Sequence, residues 1–250
     1  MTVTPPHDHL PGPVVVLEFS HEIPPRTFAG ILPERVAEAG VRRIDPLACP
    51  GIADEVTALR TQGTHWASSV REAGRLPSAV LAYCSASALA AELVAALPEP
   101  GVPLILFDPE YPDRPAPQSL LEELAQGIDD SGERPPAPAI TDLPPQQALA
   151  AAGAHLRSLV ARSAPDLDRA VADELTAGQR AWMSFVLSAS AAPPTAAVKP
   201  WHVFLSEKGT WAGAGEVPVS RTGESPRGLF TSPSVKAALF QVLALVGACR

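Results

Sequence analysis

The chemistry most legible in this sequence lies in Ala82-Tyr83-Cys84-Ser85-Ala86-Ser87-Ala88-Leu89-Ala90. The apolar run 79–83 reads as a buried strand and 86–97 as a helix, so Cys84 falls on the turn between them. That is the layout of a nucleophile elbow, commonly written G-x-S-x-G. Here Ala82 and Ala86 hold the glycine positions and Cys replaces Ser. Small flanking residues suit a strained turn crowded by neighbouring strands. A helix N-terminus directly after the turn favours a thiolate. The backbone N–H of Ser85 is placed to meet a developing oxyanion. The alternative is an ordinary buried thiol at a strand end.

A carboxylate stands at the corresponding place one strand later, in Phe107-Asp108-Pro109. One strand–helix–strand step sets two strand ends side by side at one edge, where Asp108 would orient a base or carry charge. As a structural residue it would form the turn before Pro109. The strands that must hold these residues are 14–19, 41–45, 79–83, 102–107, 201–205 and 217–219. Helices are expected at 28–39, 52–73, 86–97, 118–128, 146–162, 166–175, 178–189 and 233–247. Alternating strands and helices predict an α/β fold, a mostly parallel sheet with helices on both faces. The core is assigned to 1–112 and 198–250. The strandless stretch 113–197 reads as a helical cap or lid over the sheet's carboxyl edge, where ligands bind in open α/β sheets. Its Leu156, Leu159, Trp182, Phe185 and Val186 serve equally as pocket wall or as helix-packing core.

Composition narrows the class. The 250 residues are 46 % hydrophobic and 18 % charged, which supports a sizeable core and excludes a wholly disordered chain. Aromatics are only 5 %, so Ala, Val and Leu must fill most of the interior. A formal charge of −8 repels phosphate backbones, so nucleic acid is not an expected partner. There are 29 prolines, far above an average of about 5 %, implying many loops and helix stops. Cys49, Cys84 and Cys249 are too few for a disulfide framework or a cysteine-rich metal site, and His7 and His9 sit in a proline-rich tail. No metal or cofactor is expected. The first residues lack a secretory pattern and no apolar run is long enough for a membrane, so a cytoplasmic setting is expected.

From Val14 to Arg250 the chain resembles the α/β-hydrolase-fold thioesterases of nonribosomal peptide and polyketide biosynthesis, including their free-standing type II forms. Three features carry the likeness. Phe19-Ser20-His21-Glu22-Ile23-Pro24 stands where that family has a loop like F-P-H-A-G-G; Ala82-Tyr83-Cys84-Ser85-Ala86-Ser87 stands for its G-Y-S-x-G-G elbow; and Asp108 ends the following strand, as the family's acid does. The family's cap follows that acid, as 113–197 would here. Relatives with a Cys nucleophile occur among aminoacyl shuttles and Dieckmann-type cyclases of such pathways.

The chain departs from the pattern twice. The family's His lies in a G-D-H turn before the last helix; here that stretch is Gly223-Glu224-Ser225-Pro226, with Ser225 in the His position and no His beyond 202. His202 falls early in its strand, His155 in the cap and His65 on a helix surface, leaving His21, after the first strand, nearest the right edge. The loop after that strand has lost both glycines and gained Glu22, whose carboxylate would repel an oxyanion unless turned away or protonated. Glu207 is a further acid at this edge, or a solvated turn residue.

The resemblance implies a thioesterase-like protein acting on thioesters held by the phosphopantetheine arm of an acyl or peptidyl carrier protein, with no nucleic acid and no membrane. Cys84 would be the acyl-accepting nucleophile, Asp108 its polar support, and Ser85 with the His21–Glu22 loop the oxyanion region. A thiolate attacks a thioester with less help than a hydroxyl needs. Release to water demands a base, so an enzyme without the usual His favours acyl transfer over hydrolysis, while cyclisation, or hydrolysis as an editing thioesterase with a recruited His, stays open. The alternative is a catalytically inactive pseudo-thioesterase that binds a carrier or scaffolds a partner.

Overall fold

The computed structural model describes residues 10, 12–20, 27–34, 36, 40–130, 133–191, 198–211, 213 and 216–248. These divide into two compact units, one within Met1–Pro46, Arg60–Glu110 and Pro194–Arg250, the other within Leu47–Leu59 and Tyr111–Pro193.

The first unit is built on six strands, β1 (Val14–Leu17), β2 (Val41–Ile44), β3 (Ala79–Tyr83), β4 (Leu104–Phe107), β5 (His202–Leu205) and β6 (Val219–Arg221). They form one sheet in the order β2-β1-β3-β4-β5-β6, every pairing parallel. β1, β3 and β4 are buried along their whole length, which explains why their sequences are unbroken apolar runs rather than alternating ones. Two helices follow the strands closely: α1 (Leu59–Glu72) and α2 (Ala86–Ala96). They pack tightly at Gly63, where a Cβ would lie 2.7 Å from the Glu92 carbonyl carbon, so only glycine fits.

One sheet face presents Val14, Val16, Leu81 and Ile105 to Leu229, Phe230 and the closing helix, Pro233–Ala248. The alternate residues, among them Val15, Leu17, Val80 and Leu106, are equally buried on the other face. The scarce aromatics concentrate just below the carboxyl ends of the strands. Phe107 stacks on Phe204 at 4.7 Å between ring centroids, Phe28 meets Phe107 edge-on at 5.1 Å, and Tyr83 meets Phe230 edge-on at 5.0 Å. Such pairs add about 1 kcal/mol each beyond their burial. They form a stiff floor under the turns that follow β3, β4 and β5.

The second unit is helical. Between β4 and β5 the chain forms α3 (Ala116–Ile128), α4 (Pro145–Ser163) and α5 (Arg169–Ala191); the closing helix is accordingly α6. Leu121, Ile140, Leu149, Leu156, Met183 and Leu187 make its core. Leu159, Phe185 and Val186 are also buried, so these residues pack helices. The segment Leu47–Leu59 joins this unit. Ser184 Oγ donates to the Glu55 carbonyl at 2.8 Å, and Gln146 bridges the Val56 N–H and the Asp54 carbonyl.

Several expected elements are redrawn. The helix expected over 52–73 begins only at Leu59, because Gly51 turns the chain at φ +75° and 47–59 docks elsewhere. The helices expected at 166–175 and 178–189 are one, running through Gly178: burial of Thr176, Ala181 and Phe185 outweighs the roughly 1 kcal/mol that an interior glycine costs. At 28–39 the described residues form a short 3-10 turn, Phe28–Gly30, and after Pro33 the described Glu34 and Val36 are helical, so the expected helix starts later than its first residues.

Candidate active site

The switch in strand order sets the place for chemistry. The chain leaves β1 towards β2 on one side and returns as β3 on the other, so the crevice beyond the carboxyl ends of β1 and β3 is the expected ligand position of an open parallel sheet. Cys84 follows β3 directly and borders it. Its backbone sits at φ +52°, a left-handed conformation that a side chain makes unfavourable by about 1–2 kcal/mol. Ladder-like bonds hold the turn open: Cys84 N–H to the Phe107 carbonyl at 3.1 Å, and Glu110 N–H to the Cys84 carbonyl at 3.2 Å. Ser85 then enters α2 as its N-cap, φ −65°, with its side chain making no cap bond. Among the described residues its N–H has no backbone acceptor. The helix N-terminus is thus left for a ligand or solvent.

The Cys84 thiol is half-exposed and donates to Glu110 Oε2 at 2.9 Å. Sequence reasoning missed Glu110, because it stopped at Asp108, the first acid after β4. Register carried the missing signal. Tyr83 pairs with Phe107, so any acid just past 107 lies within a side chain's reach of residue 84.

Asp108 has the only other positive φ among the described non-glycine residues, +38°. Its carboxylate turns away from the elbow and accepts the Ser206 N–H at 2.7 Å, while its own N–H donates to the Phe204 carbonyl at 2.9 Å. Gly209 closes over it; a Cβ there would fall 2.1 Å from Asp108 Oδ1. Asp108 therefore fastens the loop after β5. Ser87 and Ser206 are fully buried, and their hydroxyls find no partner among the described residues, a cost of about 1–3 kcal/mol each.

The first-strand loop is anchored at both ends. Glu18 accepts the Phe28 N–H at 2.9 Å and the Thr27 hydroxyl at 3.2 Å, and pairs with Arg43. His21 and Glu22, expected in the oxyanion region, lie outside the described residues, as do His7, His9 and Cys249. Ser225, in the family's His position, caps the turn before α6, its Oγ accepting the Gly228 N–H at 3.1 Å. Glu224 beside it accepts the Ser232 hydroxyl at 2.7 Å. Glu207 is an exposed turn residue.

The remaining histidines are placed away from this turn or in the other unit. His202 lies at the amino end of β5, bonded to Ser220 Oγ at 2.9 Å, and burial holds its pKa below the usual histidine value. His65 is exposed on α1 against Trp66. His155 is half-buried on α4, lowered by burial and then by Arg134. Cys49 is buried, and burial pushes its thiol pKa up, so it is a poor nucleophile beside Cys84. Among the described residues no group of three His, Cys, Asp or Glu could hold a metal, and no helix is long and apolar enough to cross a membrane.

The parallel sheet, its strand order, the strained turn after β3 and the acid-bearing turn after β4 define an α/β-hydrolase fold. The solved structures agree on the fold. Over 95 % of its length the chain superimposes on part of a four-domain nonribosomal peptide synthetase, holo-AB3403 bound to AMP and glycine, with a TM-score of 0.54 and 15 % identity. It spans 20 % of that synthetase's length. It also matches a haloalkane dehalogenase loop variant, DbeA-M1 from Bradyrhizobium elkanii, with a TM-score of 0.51, 15 % identity and coverage of 95 % of this chain and 91 % of that one. No family model matches the chain, and no curated protein does.

Proposed function

We propose that this protein handles acyl groups carried as thioesters, with Cys84 as the accepting nucleophile and the phosphopantetheine arm of a carrier protein as the donor. One observation carries the reading: Cys84 sits at φ +52° on a strand-to-helix turn, half-exposed, its thiol 2.9 Å from a carboxylate. Strain at such a turn costs stability and persists where presenting a side chain matters. Attack by Sγ on the thioester carbonyl would place the developing oxyanion by the Ser85 N–H, with the His21–Glu22 loop completing the region. Asp108 supports the site by fixing the loop after β5. The helical stretch 113–197 would serve as a substrate-selecting cap, and a cytoplasmic setting would keep the thiol reduced. With Ser225 where the family has its His, acyl transfer is favoured over hydrolysis, because a thiol or amine acceptor needs less help from a base than water does.

A second reading has its own observation. Asp108 spends its carboxylate on a backbone N–H, as a scaffold acid would. On that reading the protein is an inactive pseudo-thioesterase that binds a carrier. Intact-mass analysis after incubation with acyl thioesters separates the two. A lasting adduct on Cys84 supports transfer, rapid release of free acid supports hydrolysis, and neither leaves carrier binding alone.

A further inference from the structure

Glu110 is the acid that the structure adds to this site. It follows Pro109 at the end of the β4 turn, its backbone N–H donates to the Cys84 carbonyl at 3.2 Å, and its Oε2 accepts the Cys84 thiol at 2.9 Å. Two bonds to one residue, from backbone and from side chain, fix the carboxylate over the sulfur. The other described acid on this turn, Asp108, is occupied by the Ser206 N–H, so it does not compete for the thiol proton.

From this geometry we infer that Glu110 is the proton acceptor and donor of the Cys84 reaction, doing the work that a C-terminal His does elsewhere. The inference rests on the acyl-handling reading above. As Sγ attacks the thioester carbonyl, the thiol proton passes to Glu110 Oε2. When the tetrahedral intermediate collapses, the bond from carbon to the departing sulfur breaks and Glu110 returns the proton to that sulfur. An acyl-Cys84 and a free carrier thiol result. In the second half a thiol or amine gives its proton to Glu110 as it attacks, the bond to Sγ breaks, and the proton goes back to Cys84. Atoms and charge balance without any further reactant.

A carboxylate suits this task in one way and not another. An ordinary thiol loses its proton about four pH units above an ordinary carboxylic acid, so the proton moves with the attack rather than ahead of it. A negative charge beside the sulfur also disfavours a free thiolate. Glu110 therefore speeds reactions that need the proton handled in the transition state, and does not speed attack by a thiolate already formed.

That contrast supplies the test. Glu110→Gln keeps the exposed side chain's size and the backbone bond, and its melting temperature checks that it folds. Acylation of Cys84 by a small acyl-N-acetylcysteamine thioester at neutral pH should slow about 100-fold, the deficit shrinking as pH rises and the thiol ionises unaided. Alkylation of Cys84 by iodoacetamide, which requires only thiolate, should stay level or quicken. Glu110→Asp should recover part of the acylation rate. Unchanged acylation in Glu110→Gln, or acylation and alkylation falling together, overturns the inference and leaves the nucleophile standing. A wild-type protein that takes up no acyl group overturns the acyl-handling reading, and this inference with it.

Discussion

Two neighbouring turns of this molecule start alike and end differently. The turns after β3 and β4 lie side by side in register, each follows a buried apolar strand, and each holds a non-glycine residue at positive φ. At Cys84 the strain presents a half-exposed thiol to an exposed acid. At Asp108 it turns a carboxylate inward, onto the Ser206 N–H and under Gly209. Strain alone therefore does not identify a reactive residue. What the side chain touches decides whether the cost buys access or fastening.

The contrast can be broken first at the fastened turn. Gly209→Ala would push a methyl into the Asp108 carboxylate and free the Ser206 N–H, and should lower unfolding free energy by about 3 kcal/mol in a urea titration. An unchanged midpoint would remove Asp108 from its structural role. Asp108→Asn keeps an acceptor and tolerates the left-handed backbone but loses the charge, so a smaller loss, about 1 kcal/mol, is expected. Its Cys84 alkylation rate should stay near that of the wild type; a collapse would mean that Asp108 acts on the thiol after all. At the presented turn the sign reverses. Cys84→Gly relieves the φ +52° strain and should raise stability by up to about 1 kcal/mol, read as a higher melting temperature. A clear loss would show Cys84 to be core rather than presented.

The smallest effect concerns pH. His202 has its pKa lowered by burial, so it stays neutral in the fold while the unfolded chain takes up a proton below about pH 6.5. Stability should fall as pH drops through that window, and His155 adds in the same direction. His202→Gln, which retains a partner for Ser220, should flatten the slope. Because His202 is only partly buried, the change is a fraction of the loss expected at Gly209.

Much of this fold is written in local pattern. β1, β3 and β4 are continuous apolar runs because both sheet faces are covered, and such runs need no tertiary knowledge to recognise. Helix limits were less legible. Gly178 reads as a break until Thr176, Ala181 and Phe185 are seen buried on either side of it. The region 52–58 reads as helix until its docking against α4 and α5 is known. The site divides the same way. Cys84 was legible because a strand, a small-residue turn and a helix are local features. Glu110 was not, since reaching Cys84 depends on the register of two strands and on the Asp108 turn rotating its own carboxylate aside.

The most direct measurement is intact mass after exposure to an acyl-N-acetylcysteamine thioester, followed by peptide mapping. One acyl group should appear on Cys84, be absent from Cys84→Ala, and leave buried Cys49 unmodified. No adduct and no release of free acid, or labelling of Cys49 as readily as Cys84, would contradict the account.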